Sequence, residues 1–174
     1  MVDVKPFCAW RYDNRRVNPA HVVAPPYDVI DGEEQNRLYQ KSPYNIIRLI
    51  LGKEEPEAGF PEKDKYRRAA HYLSSWRQEK ILIREESPAF YLYCQPYPHP
   101  ETNQPVCRTG VFVTLKLESF ETRAVLPHER THSAPKIDRM NLICAVEGNM
   151  SPVFGLYEDR KHILDPIFQG VAKD

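Results

Sequence analysis

The chain has 174 residues, 41% hydrophobic and 28% charged, which is enough apolar material to build a core without disulfide or metal staples. Its 24 basic and 24 acidic residues cancel, removing the net field that draws a protein to nucleic acid or to a membrane surface. No apolar run reaches the roughly eighteen residues of a membrane span, and the start Met-Val-Asp-Val-Lys-Pro lacks an apolar leader core, so a cytoplasmic protein with neither nucleic-acid nor membrane partner is expected.

Val2 to Tyr12 alternates apolar and polar residues through Val4, Phe7 and Trp10 and reads as a first strand or extended arm, ended by the turn signal Asp13-Asn14. From Val22 the chain begins like a strand, but Pro25 and Pro26 remove two backbone donors and display Tyr27 and Asp28 on stiff backbone. Asp31 is placed to cap a short helix reaching about Gln40, with Glu33 and Glu34 where the helix dipole favours them and Ser42-Pro43 as the stop. Tyr44 to Leu51 is apolar on both faces apart from Asn45 and Arg48, as expected of an interior strand.

Residues 52 to 61 read as a charged connection, followed by an amphipathic helix from about Glu62 to Lys80. Its stripe Tyr66, Ala69, Ala70, Leu73 and Trp76 faces a core, and its remaining residues read as solvated. Ile81 to Ile83 is a short extension. Ala89 to Gln95 and Val106 to Leu117 read as strands, separated by a long excursion from Pro96 to Pro105 that carries four prolines. Pro135 suits the first residue of a helix running to about Glu147 and stopped by Gly148-Asn149, and Val153 to Tyr157 reads as one more strand. The expected fold is α/β (α+β): a mixed sheet of five or six strands with three main helices, residues 1–158 forming one domain and 159–174 a tail or the start of a second half.

Chemistry concentrates between Ala124 and Asn149, where Leu126-Pro127-His128-Glu129-Arg130-Thr131 is followed by Lys136, Asp138 and Arg139. A loop at the start of a helix offers free amides and a favourable dipole to an anion, and Arg130, Lys136 and Arg139 add cations, Arg130 with a fork that suits a phosphate or carboxylate. Thr131 adds a hydroxyl. Glu129 could orient a hydroxyl or a metal, and His128 or His132 could transfer a proton near neutral pH. The alternative is a loop that caps itself, with Arg130 bracing a carboxylate and both histidines solvated. Both readings stay open on residue content.

Tyr27, Asp28, Asn45 and Arg48 form a second polar set, which either lines the same pocket or makes a buried Asp-Arg pair with Tyr and Asn around it. His128 and His132 straddle no helical face suited to a metal, and no P-loop, nucleophile elbow or dinucleotide glycine run is present. Cys8, Cys94, Cys107 and Cys144 are isolated and read as free thiols, with a Cys94–Cys107 bridge as the less favoured option. The run Phe90-Tyr91-Leu92-Tyr93 has no basic patch beside it and reads as core rather than as a base-stacking platform.

Five blocks then carry a resemblance: Val4-Lys5-Pro6-Phe7, Val23-Ala24-Pro25-Pro26-Tyr27-Asp28-Val29-Ile30, Ser42-Pro43-Tyr44-Asn45-Ile46-Ile47-Arg48-Leu49, Leu126 to Thr131 with its His-Glu-Arg-Thr (HERT) motif, and Ser151-Pro152-Val153-Phe154-Gly155-Leu156-Tyr157. In this order they resemble the amino-terminal half of the uncharacterised bacterial and archaeal family catalogued as domain of unknown function 1015. The resemblance implies a longer protein, whose second half carries an Asp-Gly-His-His-Arg motif similar to the phosphate-handling loop of the ParB and serine-kinase superfamily. That motif is absent from this chain.

Two functions follow as expectations. In the first, the domain handles a phosphorylated small molecule or nucleotide as part of a kinase-like phosphotransfer enzyme: Arg130, Lys136, Arg139 and Thr131 hold the anion, Glu129 and His128 serve as acid or base, and Tyr27, Asp28, Asn45 and Arg48 complete the pocket. In the second, a non-catalytic domain packs against a partner domain or forms a homodimer. Neither names a cofactor.

Overall fold

Helix signals set the three longest elements. The computed structural model describes residues 2–55, 57, 64–128 and 133–171. Helix α1 (Pro19–Val22) starts behind Asn18, whose side chain accepts from the Ala20 amide, with Pro19 at the first helical position. After a 3-10 turn over Tyr27–Val29, α2 (Gly32–Lys41) starts behind Asp31, whose carboxylate accepts from the Glu34 amide at 2.8 Å. Helix α3 (Ile47–Ile50) is one turn long, and α4 (Lys65–Gln78) is capped by Asp64, which accepts from the Tyr66 and Arg67 amides. Helix α5 (Ser133–Val146) and the short α6 (Asp165–Val171) complete the helical set. The expected main helices are therefore α2, α4 and α5.

Among the described residues the strands form three antiparallel ladders of two strands each, so the mixed sheet of five or six strands is not formed, although the α+β class stands. The expected first strand is split around Pro6: β1 (Val4–Lys5) pairs with β6 (Thr114–Leu115), and β2 (Trp10–Tyr12) pairs with β3 (Leu82–Arg84). The longest ladder joins β4 (Tyr91–Pro98) to β5 (Pro105–Phe112), shortening the expected Pro96–Pro105 excursion to a tight connection. His99 N–H donates to Gln104 O at 2.8 Å, which puts the ladder bonds on the odd residues of β4 and leaves Pro96 and Pro98 at positions that need no donor. Cys94 faces Thr109 and Cys107 faces Pro96, and all four cysteines are free thiols.

Tyr44 to Leu51 corrects the sequence reading most sharply. It forms a turn and α3 rather than an interior strand, with Ile47, Leu49 and Ile50 all buried. A short run apolar on every side fits either state by periodicity. The strand-like start at Val22 is likewise the end of α1, and Val153 to Tyr157 has no regular structure, with Val153 and Leu156 about nine-tenths exposed.

The chain divides into two compact units. One comprises the described residues of Met1–Ala9, Glu85–His128 and Phe154–Asp174, holding β1, β4, β5, β6 and α6. It buries no described residue; Tyr91 braces it by donating to Phe7 O and accepting from Ala9 N–H. The other comprises Trp10–Arg84 and the described residues of Glu129–Val153, and its main core joins Val22, Leu49, Ala69, Leu73, Trp76, Leu142 and Val146. The stripe read on α4 is the side that packs here.

Candidate functional site

Packing of α5 against α4 positions the polar groups of the second unit. Asp138 and Arg139 lie four and three residues before the buried Leu142, so they share its face of α5. Across from them, Lys65 precedes the buried Ala69 by four residues and flanks the cap of α4, which directs its long side chain inward.

Asp138 is the hub. Its Oδ1 accepts from Tyr66 Oη at 2.7 Å and lies 3.2 Å from Lys65 Nζ, and its Oδ2 accepts from Arg139 Nε at 2.9 Å and from Arg139 Nη2. Burial opposes the charge of Asp138, and the bonds from Arg139 and Tyr66 overcome it, holding the carboxyl below the ordinary aspartate range. Burial also opposes the charge of Lys65, and its contacts with Glu54 and Asp138 outweigh that, raising the ammonium above the usual lysine value. Glu54 Oε1 stands 2.5 Å from Lys65 Nζ, but from the solvent side, with its side chain 81% exposed.

The third donor of Arg139, Nη1, is buried without a hydrogen-bond partner among the described residues. The same guanidinium lies over the Tyr27 ring, 4.0 Å from its centroid. A hollow opens beside it, lined by Leu49, Leu51, Gly52, Lys65, Tyr66 and Arg139, with room on the order of one water molecule. Lys65 and Arg139 share Asp138, and the exposed Glu54 supplies a second carboxylate, so the four charges cancel. Displacement of Glu54 would leave one positive charge in excess beside the hollow.

The sequence-selected residues divide. Tyr27 and Arg139 stack on each other, and Arg139 lines the hollow. Asn45 and Arg48 do structural work in the same unit. Asn45 is fully buried: its amide donates to His21 O at 2.8 Å and Val23 O at 3.0 Å and accepts from the Ile47 amide, tying the end of α1 to the start of α3. Arg48 donates to Tyr39 O at 2.9 Å, stacks on the Tyr39 ring, and takes Glu57, 3.4 Å away, as its carboxylate. The expected Asp28–Arg48 pair is therefore replaced by Arg48–Glu57, and Asp28 is exposed on its turn. Lys136 and His128 are exposed, His128 in the first unit. Glu129, Arg130, Thr131 and His132 lie outside the described residues.

Sequence reasoning passed over Lys65 and Arg68, and read Tyr66 only as part of the apolar stripe. Arg68, on a side of α4 read as solvated, is 1% exposed, lies 3.4 Å from Glu57 and donates to Lys53 O. Tyr72 donates to Glu57 at 2.7 Å, and burial followed by that bond pushes its phenol up to about 12. A signal existed for Lys65: its four-residue step to Ala69 continues the apolar stripe one turn back. Among the described residues no helix is long and apolar enough to cross a membrane.

A family model described as "Protein of unknown function (DUF1015)" matches residues 4–174. The chain belongs to the DUF1015 family. Comparison with curated proteins finds no match, and comparison with solved structures finds none. Within this DUF1015 chain, Val23 to Ile30 carries the Tyr27 turn, and Ser42 to Leu49 carries the Asn45 brace and α3. Of these two stretches, the second reaches the hollow through Leu49, and the first meets Arg139 through Tyr27.

Proposed function

We propose that this DUF1015 chain binds a phosphorylated small molecule or nucleotide through a phosphoryl group held beside α5. The observation that carries the reading is the buried Arg139 Nη1, which has no partner among the described residues and lines the same hollow as Lys65, whose second carboxylate, Glu54, holds it only from the solvent side. A buried donor left unmade costs roughly 1–3 kcal/mol, which an anion oxygen would recover with a charge-assisted bond. Arg130, Thr131 and Lys136 are proposed as further anion donors from the same stretch of chain, and Glu129 as an acid–base group if phosphoryl transfer follows binding. Thermal unfolding with a panel of nucleotides, phosphosugars and phosphoamino acids tests this: a saturable rise in Tm that Arg139→Lys diminishes is expected, because lysine keeps the charge and loses the fork. No response to any member would overturn it.

The second reading is a non-catalytic domain that packs against a partner domain or a second copy. It is favoured by the apolar side chains left open on α5, with Ile137 61% and Met140 59% exposed, and by a first unit that buries no described residue. Concentration-dependent association in sedimentation, with no ligand response, would favour it over the first.

A further inference from the structure

The contact of Lys65 with Glu54 differs in kind from its contact with Asp138. Asp138 is three-quarters buried, shared with Arg139 and Tyr66, and fixed on a helix. Glu54 sits in a non-helical turn, 81% exposed, and no other described side chain pairs with it. An exposed carboxylate on a free side chain holds an ammonium weakly, because solvent screens the pair and ordering both chains costs entropy. Yet its Oε1, 2.5 Å from Nζ, stands where an oxygen of any anion bound to that ammonium would sit.

Resting on the phosphoryl-binding reading above, we propose that Glu54 is an internal competitor: it covers Lys65 in the free chain and is displaced by a phosphoryl group that takes its place on Lys65 and sends one oxygen to the buried Nη1 of Arg139. A doubly charged phosphoryl group outbids a singly charged carboxylate for two cations, since it offers each a charged oxygen while Asp138 stays in place. The hollow, with room for about one water molecule, admits one phosphoryl oxygen and leaves the rest of the group where Glu54 lay, on the solvent side of Lys65. Glu54 thereby sets a threshold: weak anions such as acetate do not displace it, and phosphate does.

Inorganic phosphate titrated calorimetrically into the full chain at about 0.15 M salt tests this, because screening over about 8 Å confines the effect of a charge to its neighbours. Glu54→Gln should bind phosphate about three- to fivefold more tightly than the natural chain, the ratio expected for removing one exposed ion pair. Glu55→Gln, the same charge change one residue on, should stay within about twofold of it. Lys65→Met should lose phosphate binding, and Lys65→Arg, which keeps the charge and guards against misfolding, should retain it. Equal affinities for Glu54→Gln and the natural chain, or equal tightening in Glu54→Gln and Glu55→Gln, would overturn the competitor role while leaving phosphoryl binding intact. Absence of saturable phosphate binding in both the natural chain and Glu54→Gln would overturn the underlying reading, and the competitor role with it.

Discussion

The Arg139 guanidinium lies 4.0 Å from the centroid of the Tyr27 ring, so the 3-10 turn at Tyr27–Val29 and helix α5 are joined through one stacked pair. The ring face, not the hydroxyl, makes the contact. Tyr27→Phe should therefore leave stability and phosphate affinity within experimental scatter, and Tyr27→Ala should lower stability by about 1 kcal/mol and weaken phosphate binding, since Arg139 loses the surface that orients it. Urea unfolding and calorimetry on the two variants separate ring from hydroxyl.

Asn45 braces the end of α1 against the start of α3. Asn45→Ala leaves the His21 and Val23 carbonyls and the Ile47 amide without partners in a fully buried place, at an expected cost of about 2–3 kcal/mol. Asn45→Asp should cost more, because a carboxylate cannot donate to two carbonyls. Under conditions where Asn45→Ala remains folded, its phosphate affinity should equal that of the natural chain. A variant of normal stability with lost affinity would return Asn45 to the pocket.

Acid sensitivity follows from Asp138. Its folded pKa is depressed below the unfolded value of about 3.9, so its stabilising contribution is complete above that value and is lost as pH falls through the folded pKa. Urea unfolding of Asp138→Asn against the natural chain should show a stability difference that is constant from neutral pH to about pH 5 and shrinks below about pH 4. A difference that instead grows on acidification would contradict the hub role.

Hydrogen exchange should separate the two units. The α4 amides around Ala69, Leu73 and Trp76 are backed by the main core, whereas β4 and β5 form a two-stranded ladder in a unit that buries no described residue. In dilute solution the α4 amides should exchange orders of magnitude more slowly than those of β4 and β5. Strong protection of the ladder that appears only at high protein concentration would point to association through it and favour the second functional reading.

Much of the helical frame was legible because its signals are local. Asp31 and the acids behind it announced α2, and the four-residue steps through Ala69, Leu73 and Trp76 announced α4 and its inner side. The stretch from Tyr44 to Leu51 was not, since α3 is a single turn buried on every side and leaves no polar face to mark its period. Arg48 was recognised as an anomaly needing a partner, but Glu57 lies in a segment read as a solvated connection, and only tertiary packing brings Arg68 to the same carboxylate. Of the candidate site, the sequence singled out Tyr27 and Arg139 and omitted Lys65, whose charge hid it among the exposed residues of α4.

The most direct test of the oxyanion site is a crystal structure grown with tungstate, a phosphate analogue that can be located by its anomalous scattering. The account predicts an anomalous peak at the mouth of the hollow, with tungstate oxygens within hydrogen-bond reach of Lys65 Nζ and Arg139 Nη1 and Glu54 swung away from Lys65. A crystal with tungstate bound elsewhere and the hollow holding only water, Glu54 still on Lys65, would contradict it.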